Sequence, residues 1–66
     1  MITITFNDSA VETNAATIEQ LIQSEIGYSH GVAVACNGEV IPVSQWDVTE
    51  VKSGDRIDVL TAFQGG

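Results

Sequence analysis

Arg56-Ile57-Asp58-Val59-Leu60-Thr61-Ala62-Phe63, leading into Gln64-Gly65-Gly66, is the stretch on which the architecture turns. Ile57 and Val59 share one side of a strand, with Asp58 and Leu60 on the other, the period-2 pattern of a strand with one face on a core. Ser53-Gly54-Asp55 turns the chain into it. Upstream, Ile2, Ile4 and Phe6 alternate with Thr3 and Thr5, Asn7-Asp8-Ser9 makes a turn, and Ala10 to Thr13 returns, so the chain opens with a hairpin. Thr17 precedes Ile18, Leu21, Ile22 and Ile26 at helical spacing, and Gln20 completes a capping box with it. Gly27 stops a helix of about two and a half turns that carries one apolar stripe. Val32 to Cys36 is apolar and β-prone, Asn37-Gly38 is a strong hairpin signal, and Glu39 to Ile41 pairs back until Pro42 ends the strand. An irregular connection holding Trp46 then reaches the last strand. A hairpin, one helix and further strands close a core only if the sheet wraps across the helix, its stripe against Ile2, Ile4, Phe6, Ile57 and Val59. The last strand then lies centrally, beside the first, and its C-terminal end projects from the sheet.

Size and charge narrow the function. A chain of 66 residues is one domain that buries only about 60% of its unfolded surface, leaving little room for a large internal active site. Nine acidic residues against Lys52 and Arg56 give a net charge of −7, which repels nucleic-acid backbones and anionic membranes and favours a partner with a basic face. The start, Met1-Ile2-Thr3-Ile4-Thr5, has no basic leader, and no apolar run approaches the length of a membrane span. Cys36 is alone and forms no internal disulfide, which suits a cytoplasmic protein that stands without staples. With glycine at roughly 7% of average usage, a Gly-Gly ending arises by chance in only about 0.5% of chains. Two residues without a Cβ present a slim, unhindered α-carboxylate that can thread a narrow active site. A frayed end or an appended tag is the plainer alternative.

The order ββαββ…β with terminal Gly-Gly resembles the ubiquitin-like β-grasp fold, an α+β mixed sheet wrapped on one helix with a free C-terminal tail. The stretch Val32-Ala33-Val34-Ala35-Cys36-Asn37-Gly38-Glu39-Val40-Ile41-Pro42, with Ser44-Gln45-Trp46 and Gly54-Asp55-Arg56-Ile57, resembles the ThiS family, sulfur carriers of thiamine thiazole biosynthesis. The likeness covers nearly all of the chain. Two positions depart from it: Val43 follows Pro42 where a basic residue is expected, and Cys36 stands where an aliphatic is usual. The resemblance implies a β-grasp domain over residues 1–63 and a flexible tail over 64–66. It also implies a carrier rather than an enzyme, binding no cofactor of its own. A separate E1-like adenylating enzyme would consume ATP to activate the Gly66 carboxylate. A persulfide donor protein would displace AMP, and a thiazole synthase would receive sulfur from the resulting thiocarboxylate, an anionic nucleophile.

Around Gly66, Gly65 keeps the approach slim, and Ala62, Phe63 and Gln64 make a neck. Phe63 either anchors in a pocket on a partner or folds back over the domain's own core edge. Leu60 and Ala62 face away from the core by parity, as do Ala33 and Ala35 if Val32, Val34 and Cys36 point inward, and together they form an apolar docking patch. Cys36, mid-strand with no basic neighbour, packs as a small hydrophobe. His30 and Tyr28 lack companions at ligand spacing, so no metal site is expected. Trp46 plugs the core under the irregular connection. Glu39, Asp47, Glu50 and Asp58 steer a basic partner. Other functions remain open: the small subunit of molybdopterin synthase, whose family is typically longer with a proline-rich neck; a protein modifier forming isopeptide bonds with lysines; and a passive interaction domain or small enzyme, for which no catalytic pair is visible.

Overall fold

Two asparagine turns and one capped helix set the element boundaries. In a computed structural model, which describes residues 1–28 and 30–61, β1 runs Ile2–Phe6 and β2 Ser9–Thr13, followed by α1 over Ile18–Glu25. β3 spans Val32–Cys36, β4 Glu39–Ile41, and β5 Arg56–Thr61, with a 3₁₀ turn at Val43–Gln45. The strands form one sheet in the order β2-β1-β5-β3-β4. β5 lies centrally, parallel to β1 and antiparallel to β3, as the sequence predicts. The portion of the predicted last strand beyond Thr61, and the expected boundary between domain and tail, lie outside the described residues.

Both hairpins close with two residues in the left-handed region: Asn7 and Asp8 at φ 49° and 69°, Asn37 and Gly38 at φ 53° and 86°. Asparagine and glycine tolerate this backbone, and such turns match the twist of the strands they join. Ser9 therefore opens β2, opposite Phe6, one residue earlier than the three-residue turn expected. Each asparagine does more than turn. Asn7 Oδ1 accepts from the Val59 amide at 2.7 Å, and the Asn7 amide donates to Ile57 O at 3.0 Å. On the other side, Asn37 Oδ1 accepts from the Arg56 amide at 2.9 Å, and the Asn37 amide donates to Arg56 O at 2.7 Å. The two turns thus grip β5 from both flanks.

α1 must satisfy the amides that a helix start leaves without partners. The Ile18 amide donates to Thr49 O at 2.9 Å and the Glu19 amide to Trp46 O at 3.1 Å. The Gln20 amide donates to Thr17 Oγ1 at 3.3 Å. The Gln20 side chain accepts from the Ala16 amide at 2.8 Å, one residue before the position a capping box prescribes. At the other end Gly27, at φ 92°, sends its amide to Ile22 O at 2.9 Å.

Ile18, Leu21 and Ile22 are fully buried in one cluster with Ile4, Val34, Trp46, Val51, Ile57 and Val59. Ile2, Phe6, Ile26, Val32 and Cys36 pack at its margin, less deeply than their pattern suggests. Trp46 is the expected plug: its ring is buried and Nε1 donates to Ile41 O at 2.9 Å. Val51 joins the core because the Val51 amide donates to Ala16 O at 2.9 Å and Glu50 bridges Thr17, drawing the irregular connection along the start of α1.

Candidate functional site

The sheet face turned away from α1 is the candidate docking surface, and register decides its composition. Ala33 lies opposite Leu60, Val34 opposite Val59, and Ala35 opposite Asp58. Val34 and Val59 are in the core, so Ala33, Ala35, Asp58 and Leu60 belong to the open face. This places Val32, Val34 and Cys36 inward, as expected. Leu60 is 76% exposed. Of the residues assigned to docking and tail chemistry, Ala33, Ala35 and Leu60 are within the described residues; Ala62, Phe63, Gln64, Gly65 and Gly66 lie outside them.

Sequence reasoning missed two members of the patch. Val40 pairs with Ala35 across the β3–β4 hairpin and is 72% exposed. Val43, on the 3₁₀ turn, is 60% exposed and shares an open concavity with Ala33, Leu60 and Thr61 at the C-terminal end of β5. Val40 could have been found by counting outward from the Asn37-Gly38 turn, which alone dictates the pairing of 35 with 40. A groove of about 120 Å³ runs between Ala33, Ala35, Val40 and Leu60.

On β1 and β2 this face carries Thr3 and Thr5, paired with Glu12 and Ala10, and the start of β5 beside them is charged. Arg56 bonds Asp8 at 2.8 Å through Nη2 and Asp58 at 3.2 Å through Nε. Asp58, foremost, and Asp8 hold the guanidinium even more firmly in its charged form. Asp58 is therefore partly neutralised, unlike Glu39, Asp47 and Glu50, which are exposed and have no ion pair among the described residues.

Cys36 occupies the last position of β3 rather than its middle. Its Sγ lies 4.0 Å from Asp55 Oδ2 and 3.7 Å from Asn37 Nδ2. Burial, then the charges of Asp55 and Glu39, push its pKa upward. At neutral pH it is a protonated and poorly nucleophilic thiol, packed against the core margin as expected. His30 and Tyr28 are exposed, and no metal-ligating cluster is present among the described residues. No helix in them is long and apolar enough to cross a membrane.

Among the described residues, five strands grasp one helix, and the central β5, shared by a parallel and an antiparallel neighbour, completes a ubiquitin-like β-grasp domain. The crystal structure of the thiamine biosynthesis protein ThiS from Geobacter metallireducens superposes on it with a TM-score of 0.81 at 28% identity, over 98% of this chain and 100% of that one. The sulfur carrier protein ThiS of Escherichia coli (strain K12) is 33% identical over 64 residues, 96% of this chain and 97% of that protein. The model of the ThiS family matches residues 2–66, and the chain belongs to that family.

Proposed function

We propose that this chain is a sulfur carrier of thiamine biosynthesis, acting in the cytoplasm as a cosubstrate and not as an enzyme. The observation that carries this reading is the family match extending through Gly65 and Gly66, together with a relative whose name is sulfur carrier protein. The protein contributes a carboxylate and a surface; its partners contribute catalysis.

The chemistry follows from the carboxylate. An unactivated carboxylate is a poor acyl donor, because its leaving group would be an oxide. Attack by a Gly66 oxygen on the α-phosphate of ATP, held by an adenylating enzyme, expels pyrophosphate and gives an acyl adenylate. The outer sulfur of a donor persulfide then attacks the acyl carbon, and AMP leaves. Cleavage of the remaining sulfur–sulfur bond by a thiol releases the thiocarboxylate, which attacks a carbonyl carbon held by a thiazole synthase. Each step requires the tail to enter a narrow site, which suits Gly65, while Leu60, Ala62, Phe63 and Gln64 form the contact behind it.

Two features of the described fold support this division of labour. β5 is gripped on both flanks, so the strand that leads to the tail is held in one register. The apolar patch of Ala33, Ala35, Val40 and Leu60 lies on that strand and its neighbours. The test is an intact mass after incubation with ATP, a sulfur donor and the adenylating enzyme. The expected gain is the exchange of one oxygen for one sulfur, abolished by deleting Gly66 or extending the chain beyond it. Normal sulfur loading of a C-terminally extended chain would refute the reading.

A further inference from the structure

Of the three asparagines Asn37 alone is followed by glycine, and the structure places its side-chain amide where a change of charge would be felt. Asparagine followed by glycine can cyclise: the glycine nitrogen attacks Cγ, ammonia leaves, and water opens the succinimide to aspartate or isoaspartate. Glycine favours this because no Cβ hinders the approach, and around Gly38 there is open space. Asn7 and Asn14 are followed by Asp8 and Ala15 and lack this ease.

The folded turn opposes the reaction. Oδ1 of Asn37 accepts from the Arg56 amide at 2.9 Å, and Nδ2 donates to Asp55 Oδ1 at 3.2 Å. Both bonds hold the side-chain amide toward the start of β5. Asp55 is itself anchored, with Oδ2 accepting from the Lys52 amide at 2.9 Å. We propose that Asn37 is a deamidation site restrained by its clasp on Asp55 and Arg56, and that its conversion loosens the start of β5.

The consequence follows from donor and acceptor roles. Deamidation replaces the Nδ2 donor with a carboxylate oxygen facing the Asp55 carboxylate, so an attraction becomes a repulsion between like charges. Isoaspartate additionally inserts a backbone methylene into a two-residue turn, which disturbs the pairing of Cys36 with Glu39. Nothing comparable threatens Asn7, whose described side-chain bond uses Oδ1 only as an acceptor from the Val59 amide.

The test is prolonged incubation of the full chain at physiological temperature and mildly alkaline pH, with peptide mass mapping of all three asparagines. Conversion is expected at Asn37 ahead of Asn7 and Asn14. Asp55→Ala, shown folded by circular dichroism, should accelerate it about tenfold, the factor that corresponds to losing one hydrogen bond to a charged acceptor. Asp55→Asn, which keeps the shape of the turn, should accelerate it less and serves if the alanine variant unfolds. The deamidated form, separated by ion exchange, should show faster hydrogen exchange at the Arg56 amide. Equal conversion at Asn14, or an unchanged Asn37 rate in a folded Asp55 variant, would overturn the proposal.

Discussion

Truncating Leu60 to alanine removes three carbons from the middle of the open sheet face, and the structure lets the cost be divided between folding and docking. At about 0.8 kcal/mol per buried methylene, those carbons are worth about 2.4 kcal/mol when fully covered. Leu60 is 76% exposed in the isolated chain, so about 1.8 kcal/mol of that becomes available only when a partner covers it. The expected result is a loss of about 20-fold in affinity for the adenylating enzyme. The quarter already covered amounts to about 0.6 kcal/mol of stability, a fall of about 2–5 °C in melting temperature for a domain of this size. Calorimetric titration of wild type and Leu60→Ala, with melts of each, measures both quantities. Unchanged affinity would move the docking surface elsewhere. A fall of well over about 10 °C would instead mean that Leu60 supports the fold, against its exposure.

Three further outcomes follow from the same geometry. Asn7→Ala should cost about 2–3 kcal/mol in denaturant unfolding, because it strands the Val59 amide and puts a Cβ-bearing residue without a polar side chain in the left-handed region; Asn7→Asp, which keeps the acceptor, should cost less than about 1 kcal/mol, and equal losses would show that the bond is unimportant. Cys36→Val should retain sulfur transfer, and because the Cys36 pKa is raised in the fold, the stability owed to its protonated form is full below the ordinary thiol value and lost as pH rises through the folded one; pH-dependent melts of wild type should therefore fall more steeply at alkaline pH than those of the variant. Glu39→Gln or Asp47→Asn should slow association with a basic partner at low salt, an effect that fades as the Debye length shrinks toward about 8 Å near 0.15 M; Asp58→Asn should do so less, since Arg56 already offsets that charge, and stopped-flow rates at two ionic strengths separate the cases.

How far the fold could be read in advance depended on whether each signal was local. Thr17 with Gln20, Gly27, Asn37-Gly38 and Pro42 each limit an element through chemistry confined to a few residues, and the boundaries of α1, β3 and β4 fall where those residues place them. The central position of β5 was also legible, because its Ile57 and Val59 share the helix stripe with Ile2, Ile4 and Phe6 and so belong beside β1. Features that depend on residues distant in sequence were not. Val51 carries no periodic signature, and its burial comes from backbone bonding between residues 49–51 and the start of α1. The placement of Cys36 beside Asp55 needs the β3–β5 register, which sets Cys36 opposite Ile57.

The asparagines make the same division sharper. In the folded chain Asn7 and Asn37 each open a two-residue turn and are each followed by a second left-handed residue. In space they flank one strand but use different atoms: the described Asn7 bond employs an acceptor alone, whereas Asn37 employs acceptor and donor together. The asymmetry arises because Asp55 precedes β5 on the side of β3, with its carboxylate turned back to the Lys52 amide and within reach of Asn37. A carboxylate oxygen can replace the amide oxygen at position 7 and cannot replace the amide nitrogen at position 37. The opposite responses expected of Asn7→Asp and of a deamidated Asn37 thus rest on which side of β5 each turn lies, a fact of topology that neither dipeptide contains.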